Sequence, residues 1–166
     1  MVGEAEDAAA FARPGRIAGA STTAEARDVV ARLSSELHAE LIAWARAGLP
    51  NEACGILSGA RSAYEDGSAD GFRPLTNAEA SPFLYRIDPV EQLHAMLAID
   101  DADQVVWGIF HSHVASPAEP SVTDIGLAFY PDALYLVCSL ADRTAPHVRA
   151  WSIRDGTVSE VPLVVG

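Results

Sequence analysis

The sequence predicts an α/β domain, with a mixed central β-sheet flanked by a few helices. Three observations carry that expectation. Residues 104–111 are apolar on both faces, Val105, Trp107 and Ile109 alternating with Val106 and Phe110, as in a strand at the centre of a sheet. Two helical stretches carry their own stop or start signals, one ending at Gly48 and Pro50, the other opening at Asp88-Pro89. Asp155-Gly156 then separates two strand-like runs as a tight hairpin turn.

Taken in order, residues 1–24 are rich in Ala and Gly, with scattered charges and no sustained period. They read as a disordered extension ahead of a domain over 25–166. Val29, Val30 and Leu33 suggest a short strand. Ser34 or Ser35 caps a helix in which Leu37, Leu41, Ile42 and Ala45 form the apolar stripe. Residues 54–58 read as a buried strand and 59–71 as a polar, acidic loop. Residues 72–76 and 83–87 look like two more strands, parted by turn material at 77–82. Asp88-Pro89 opens a helix with Leu93, Met96 and Leu97 on its buried side. Beyond the central strand, residues 133–139, 148–153 and 158–164 supply further strands.

A hydrophobic fraction of 49% and a charged fraction of 20% are those of a globular protein with a real core. The formal net charge of -12 argues against binding nucleic acid through a phosphate backbone and against docking on an anionic membrane. No apolar run is long enough to span a bilayer, and Glu4, Glu6 and Asp7 stand where a signal peptide would be basic. A cytoplasmic protein is expected. Cys54 and Cys138 sit in apolar runs and read as two buried side chains, not a disulfide framework.

The chemistry is concentrated in His111-Ser112-His113, followed after seven residues by Ser121-Val122-Thr123-Asp124, with Glu52 upstream. Alternation along a strand puts His111 and His113 on one face, continuing Ile109, Trp107 and Val105 as a dry floor. Ser112 points the other way and is structural. Ser121 begins a helical turn that brings Asp124 towards the imidazoles. Two histidines and a carboxylate make the three-ligand zinc pattern that keeps a fourth position open for water. Glu52 is the candidate base for that water's proton, and Ser121 the hydroxyl for the developing oxyanion. Each part has a plainer reading. His-x-His alone is weak evidence, Ser-x-x-Asp is also a capping box, and Glu52 follows a turn. The joint pattern is far rarer than its parts.

These residues resemble the JAMM (MPN-plus) metalloprotease signature, in order and with its spacing, and the likeness extends over residues 29–164. It implies the JAMM/MPN fold, which is cytidine-deaminase-like, and one zinc ion held by His111, His113 and Asp124. It further implies proton transfer by Glu52 and oxyanion support by Ser121. Asn51-Glu52-Ala53-Cys54-Gly55, Thr76-Asn77-Ala78-Glu79, Tyr85-Arg86-Ile87-Asp88 and Glu91-Gln92-Leu93 are similar to the small bacterial Mec-type branch. That branch releases cysteine from a ubiquitin-like β-grasp sulfur carrier of CysO type. Other bacterial JAMM proteins act on ThiS- or MoaD-like carriers, and some MPN domains are inactive scaffolds.

A flexible Gly-Gly tail can enter as an added strand, and residues 83–87 are either the edge of that groove or a plain core strand. Cys54, two residues after Glu52, either touches the metal site or packs in the core. His38, His94 and His147 lie outside the motif and receive no role.

Overall fold

The computed structural model describes residues 28–166; the Ala- and Gly-rich extension expected at 1–24 lies outside the described residues. Ala31 and Leu33 bury their side chains in β1 (Ala31–Leu33), slightly later than Val29 and Val30 suggested. The Ser34 hydroxyl accepts the Leu37 N–H at 3.1 Å and starts α1 (Ser35–Gly48), which buries Leu37, Leu41 and Ala45. β2 (Cys54–Gly59) is buried along its whole length. A short 3-10 turn, Ala63–Glu65, interrupts the polar loop before β3 (Gly71–Leu75). The Asp88 carboxylate accepts the Val90 and Glu91 N–H groups at 3.0 Å each and caps α2 (Pro89–Asp101). β4 (Val105–His113) includes both motif histidines. The remainder is α3 (Val122–Gly126), β5 (Leu134–Ser139), β6 (His147–Arg154), β7 (Thr157–Val161) and β8 (Leu163–Val165).

Six strands form the main sheet in the order β3-β2-β4-β5-β6-β7. β4 runs antiparallel to β2 and parallel to β5, so the sheet is mixed and the histidine strand lies inside it. One face packs Leu57, Trp107, Phe110 and Leu136 against Leu37 and Leu41 of α1. The other packs Cys54, Ile56, Ile109 and Tyr135 against Ala95 and Ile99 of α2. The β6–β7 hairpin turns at Asp155 and Gly156, with φ of 51° and 74°, as a two-residue turn of this kind requires. Among the described residues, no helix is long and apolar enough to cross a membrane.

Four expectations are corrected. Residues 158–164 are not one strand: Pro162, which has no N–H to give a ladder, divides them into β7 and β8. The Pro162 carbonyl accepts the Ala31 N–H at 2.8 Å, and β8 pairs in parallel with β1 as a separate ribbon. Trp107 does not share a face with Ile109. Leu57 pairs with Gly108 but Ser58 with Val106, so Trp107 is the extra residue of a β-bulge. The bulge turns Trp107 towards α1, where its Nε1–H donates to the Gly67 carbonyl at 2.9 Å, and leaves Val106 on the Ile109 side.

On α2, Leu93 and Leu97 are 57% and 53% exposed, while Ala95 and Ile99 are buried and Met96 half-buried. This helix is apolar on more than one side, so its sequence does not fix which side faces the sheet. Residues 83–87 form no strand, only a single bridge between Ile87 and Asn77. Pro82 precedes them, and their N–H groups turn to side chains: Phe83 to Ser81 Oγ and Arg86 to Asn77 Oδ1.

Gly55 sets the close approach of β2 and β3. A Cβ there would lie 2.5 Å from both the Arg73 carbonyl oxygen and the Phe72 ring. Gly55→Ala is expected to destabilise the domain by about 2–3 kcal/mol. A urea midpoint equal to wild type would disprove that packing account.

Candidate metal centre

The alternation of β4 carries His111 and His113 to one face at the strand's end, where they are 1% and 5% exposed. Asp124 reaches them from the first turn of α3 and is also buried. Its Oδ2 lies 3.0 Å from His111 Nε2 and 3.2 Å from His113 Nε2, and the two nitrogens are 3.1 Å apart. The plainer reading of Ser-x-x-Asp holds at the same time. Ser121 Oγ accepts the Asp124 N–H at 3.1 Å, and Asp124 Oδ2 accepts the Ser121 N–H at 2.8 Å. The capping box therefore fixes the rotamer with which Asp124 faces the histidines.

Charges follow this geometry. Burial pushes the His111 imidazole down, with the Asp124 hydrogen bond opposing. Burial also acts to lower His113, but bonds to Asp124 and the Pro117 carbonyl hold it above the ordinary value. Burial would raise Asp124, yet the two imidazoles keep it well below the usual carboxylate range. His113 Nδ1–H donates to the Pro117 carbonyl at 2.7 Å, so Nε2 is the nitrogen that would turn its lone pair to a metal. The Tyr85 ring stacks on His111, centroids 4.2 Å apart and planes at 16°.

His111, His113 and Asp124 form a metal-capable group of two nitrogens and one carboxylate oxygen. Ligands 2.0–2.2 Å from a tetrahedral ion lie about 3.3 Å from one another, close to the separations here. The residues fit zinc.

Glu52 lies just outside β2 and is 5% exposed. It shares a cleft of about 430 Å³ with His113 and Ser121, bounded by Pro82, Phe83 and Pro117. Burial pushes its carboxyl up to about 7, with His113 opposing and Asp124 adding to the rise. Glu52 Oε2 and His111 Nδ1 are buried without a hydrogen-bond partner among the described residues. Ser112, between the histidines, points away from the site as expected and ties it together. Its Oγ accepts the Ala53 N–H at 2.8 Å and its N–H donates to the Ala53 carbonyl at 2.9 Å, which pins the residue after Glu52 to β4.

All five candidate residues thus converge. Cys54 does not join them: it pairs with His111 across the sheet, but its thiol contacts the Leu75 carbonyl at 3.7 Å and burial pushes it up to about 12. It packs in the core. Two contributors were missed in the sequence. The Pro117 carbonyl is a backbone group with no sequence signal, and Tyr85 stood in the stretch read as a groove strand.

A family model for prokaryotic homologs of the JAB domain matches residues 34–154. The CysO-cysteine peptidase of Mycobacterium tuberculosis (strain ATCC 25618 / H37Rv) is 43% identical over 135 residues, covering 80% of this chain and 89% of that one. A desampylase of Haloferax volcanii is 33% identical over 120 residues, 69% of this chain and 84% of that one. A solution structure of a protein from Desulfitobacterium hafniense matches with a TM-score of 0.74 at 38% identity, over 82% of this chain and 93% of that one. A JAB1/MPN domain protein from Archaeoglobus fulgidus, 19% identical, shares the fold with a TM-score of 0.50 over 81% of this chain and 99% of that one. With the mixed central sheet and three helices of its described residues and its buried His-His-Asp centre, the chain belongs to the prokaryotic JAB-domain family of JAMM-type peptidases.

Proposed function

We propose that this chain is a zinc-dependent metallopeptidase that hydrolyses the bond after the C-terminal Gly-Gly of a ubiquitin-like sulfur-carrier protein. On this reading it acts in the cytoplasm and releases cysteine from a CysO-type carrier, completing a route of cysteine biosynthesis. The observation that carries the chemistry is the buried His111, His113 and Asp124 group, whose His113 lines the cleft that also holds Glu52 and Ser121. The likeness to CysO-cysteine peptidase supports the substrate.

His111, His113 and Asp124 would hold the zinc ion, which when bound acidifies water and polarises the scissile carbonyl. Glu52 accepts a proton through its unpartnered Oε2 and returns it to the leaving amine. A carboxyl pushed up to about 7 can do both near neutral pH. The Ser121 oxygen accepts from the Asp124 N–H, and its O–H stays free to donate to the oxyanion at the substrate carbonyl. The cleft lined by Pro82, Phe83 and Pro117 is where this reading seats the diglycine tail.

The desampylase relatives favour a second reading, removal of a ThiS- or MoaD-type carrier from a protein conjugate. An inactive scaffold is disfavoured because every signature position is in place. Carrier–cysteine and carrier–protein conjugates offered in parallel, with products followed by mass spectrometry, separate these readings. The expected result is free cysteine and a carrier ending in Gly-Gly. Preferential cleavage of protein conjugates would establish the second reading, and no cleavage of any conjugate the scaffold.

A further inference from the structure

Glu52 precedes the first residue of β2, so the sheet ladder does not hold it. Its backbone is held instead by the loop at 77–87. The Glu52 N–H donates to the Ser81 carbonyl at 2.9 Å, and Asn77 Nδ2 donates to the Glu52 carbonyl at 3.1 Å. The same amide nitrogen donates to the Leu84 carbonyl at 3.0 Å. Asn77 Oδ1 accepts the Glu79 N–H at 3.1 Å and the Arg86 N–H at 3.0 Å. A side-chain amide has two donor hydrogens and two acceptor lone pairs, and Asn77 uses all of them. Aspartate has the acceptors without the donors, and serine too few of either.

The loop closed in this way carries Tyr85, stacked on His111, and Pro82 and Phe83, which bound the cleft. We infer that Asn77 is a positioning residue for the reaction: by closing the 77–87 loop it fixes the backbone of Glu52. The inference rests on the reading of Glu52 as the proton carrier. The Arg86–Glu79 ion pair at 2.9 Å adds little, since Arg86 is half exposed and such pairs contribute weakly.

Asn77→Asp tests this, because it keeps the acceptors and turns carboxylate oxygen towards two carbonyls. In zinc-loaded protein, kcat on the carrier conjugate is expected to fall about ten- to a hundredfold, with KM and zinc content close to wild type. In a Glu52→Gln background the same change is expected to cost nothing further, because Asn77 acts through Glu52. Hydrogen exchange of the metal-free protein should quicken about tenfold or more at the Glu52 and Arg86 amides and stay unchanged in α1 and β4.

An unchanged kcat, a loss carried by KM alone, or intact protection at the Glu52 amide would overturn the inference. Asn77→Ser supplies the same readouts if the aspartate variant does not fold. If the wild type cleaves no conjugate, the functional reading fails, and the exchange result still decides whether Asn77 holds Glu52.

Discussion

Glu52→Gln is expected to lower cleavage roughly a thousandfold while zinc content stays at the wild-type level. The substitution preserves size and burial and removes only the ability to take and return a proton. Equal loss of zinc would mean that Glu52 acts through the metal group and not as a base. The same variant has a second, activity-independent signature. Burial pushes the folded carboxyl up to about 7 from an ordinary 4.5, so the folded state favours the protonated form. The corresponding stability is fully present below pH 4.5. It is lost as the pH rises through about 7, because the unfolded chain ionises first. The upper limit of this loss is about 3 kcal/mol. Metal-free Glu52→Gln lacks this dependence. Its melting temperature should exceed that of metal-free wild type by a margin that widens between pH 4.5 and 7 and is level above. A margin independent of pH would show that the carboxyl ionises normally in the fold.

The parts of the site that were legible in the sequence obey local rules. His111 and His113 share a face because strand side chains alternate, and Asp124 follows Ser121 by one capping box. The central position of β4 was visible in its apolar faces, and the hairpin in Asp155-Gly156. What stayed hidden depends on partners distant in the chain. The bulge at Trp107 is a relation between β4 and β2, so the alternation of β4 alone placed Trp107 on the metal side. α2 is apolar on several sides, and only packing against Ile109 and Tyr135 selects Ala95 and Ile99 for burial. Residues 83–87 have a strand's composition, but Asn77 and Ser81 side chains take the N–H groups that a ladder needs. The support of His113 by the Pro117 carbonyl has no side-chain identity to read.

Asp124→Asn is expected to abolish stoichiometric zinc binding and, with it, all activity and the rise in melting temperature that zinc gives the wild type. One carboxylate oxygen, Oδ2, meets the Ser121 N–H at 2.8 Å, His111 Nε2 at 3.0 Å and His113 Nε2 at 3.2 Å. An amide can satisfy the capping bond, but it carries no charge to hold a cation between two imidazoles. At a thousandfold excess of free zinc over Kd, binding adds about 4 kcal/mol to stability, and this is the contribution the variant forfeits. The metal-free variant also loses the anion that the imidazoles hold below the ordinary carboxylate range. That contribution is present above the unfolded value of 3.8 and fades as the pH falls below it, so the variant's deficit should shrink in acid. Asp124→Ala also removes the acceptor of the Ser121 N–H, the reciprocal half of the capping box, and should cost about 1 kcal/mol more than the asparagine variant. Titration calorimetry with zinc, and melting curves with and without it, give both readings. Wild-type zinc affinity in Asp124→Asn would remove Asp124 from the metal centre and reduce the Ser121–Asp124 pair to a helix cap.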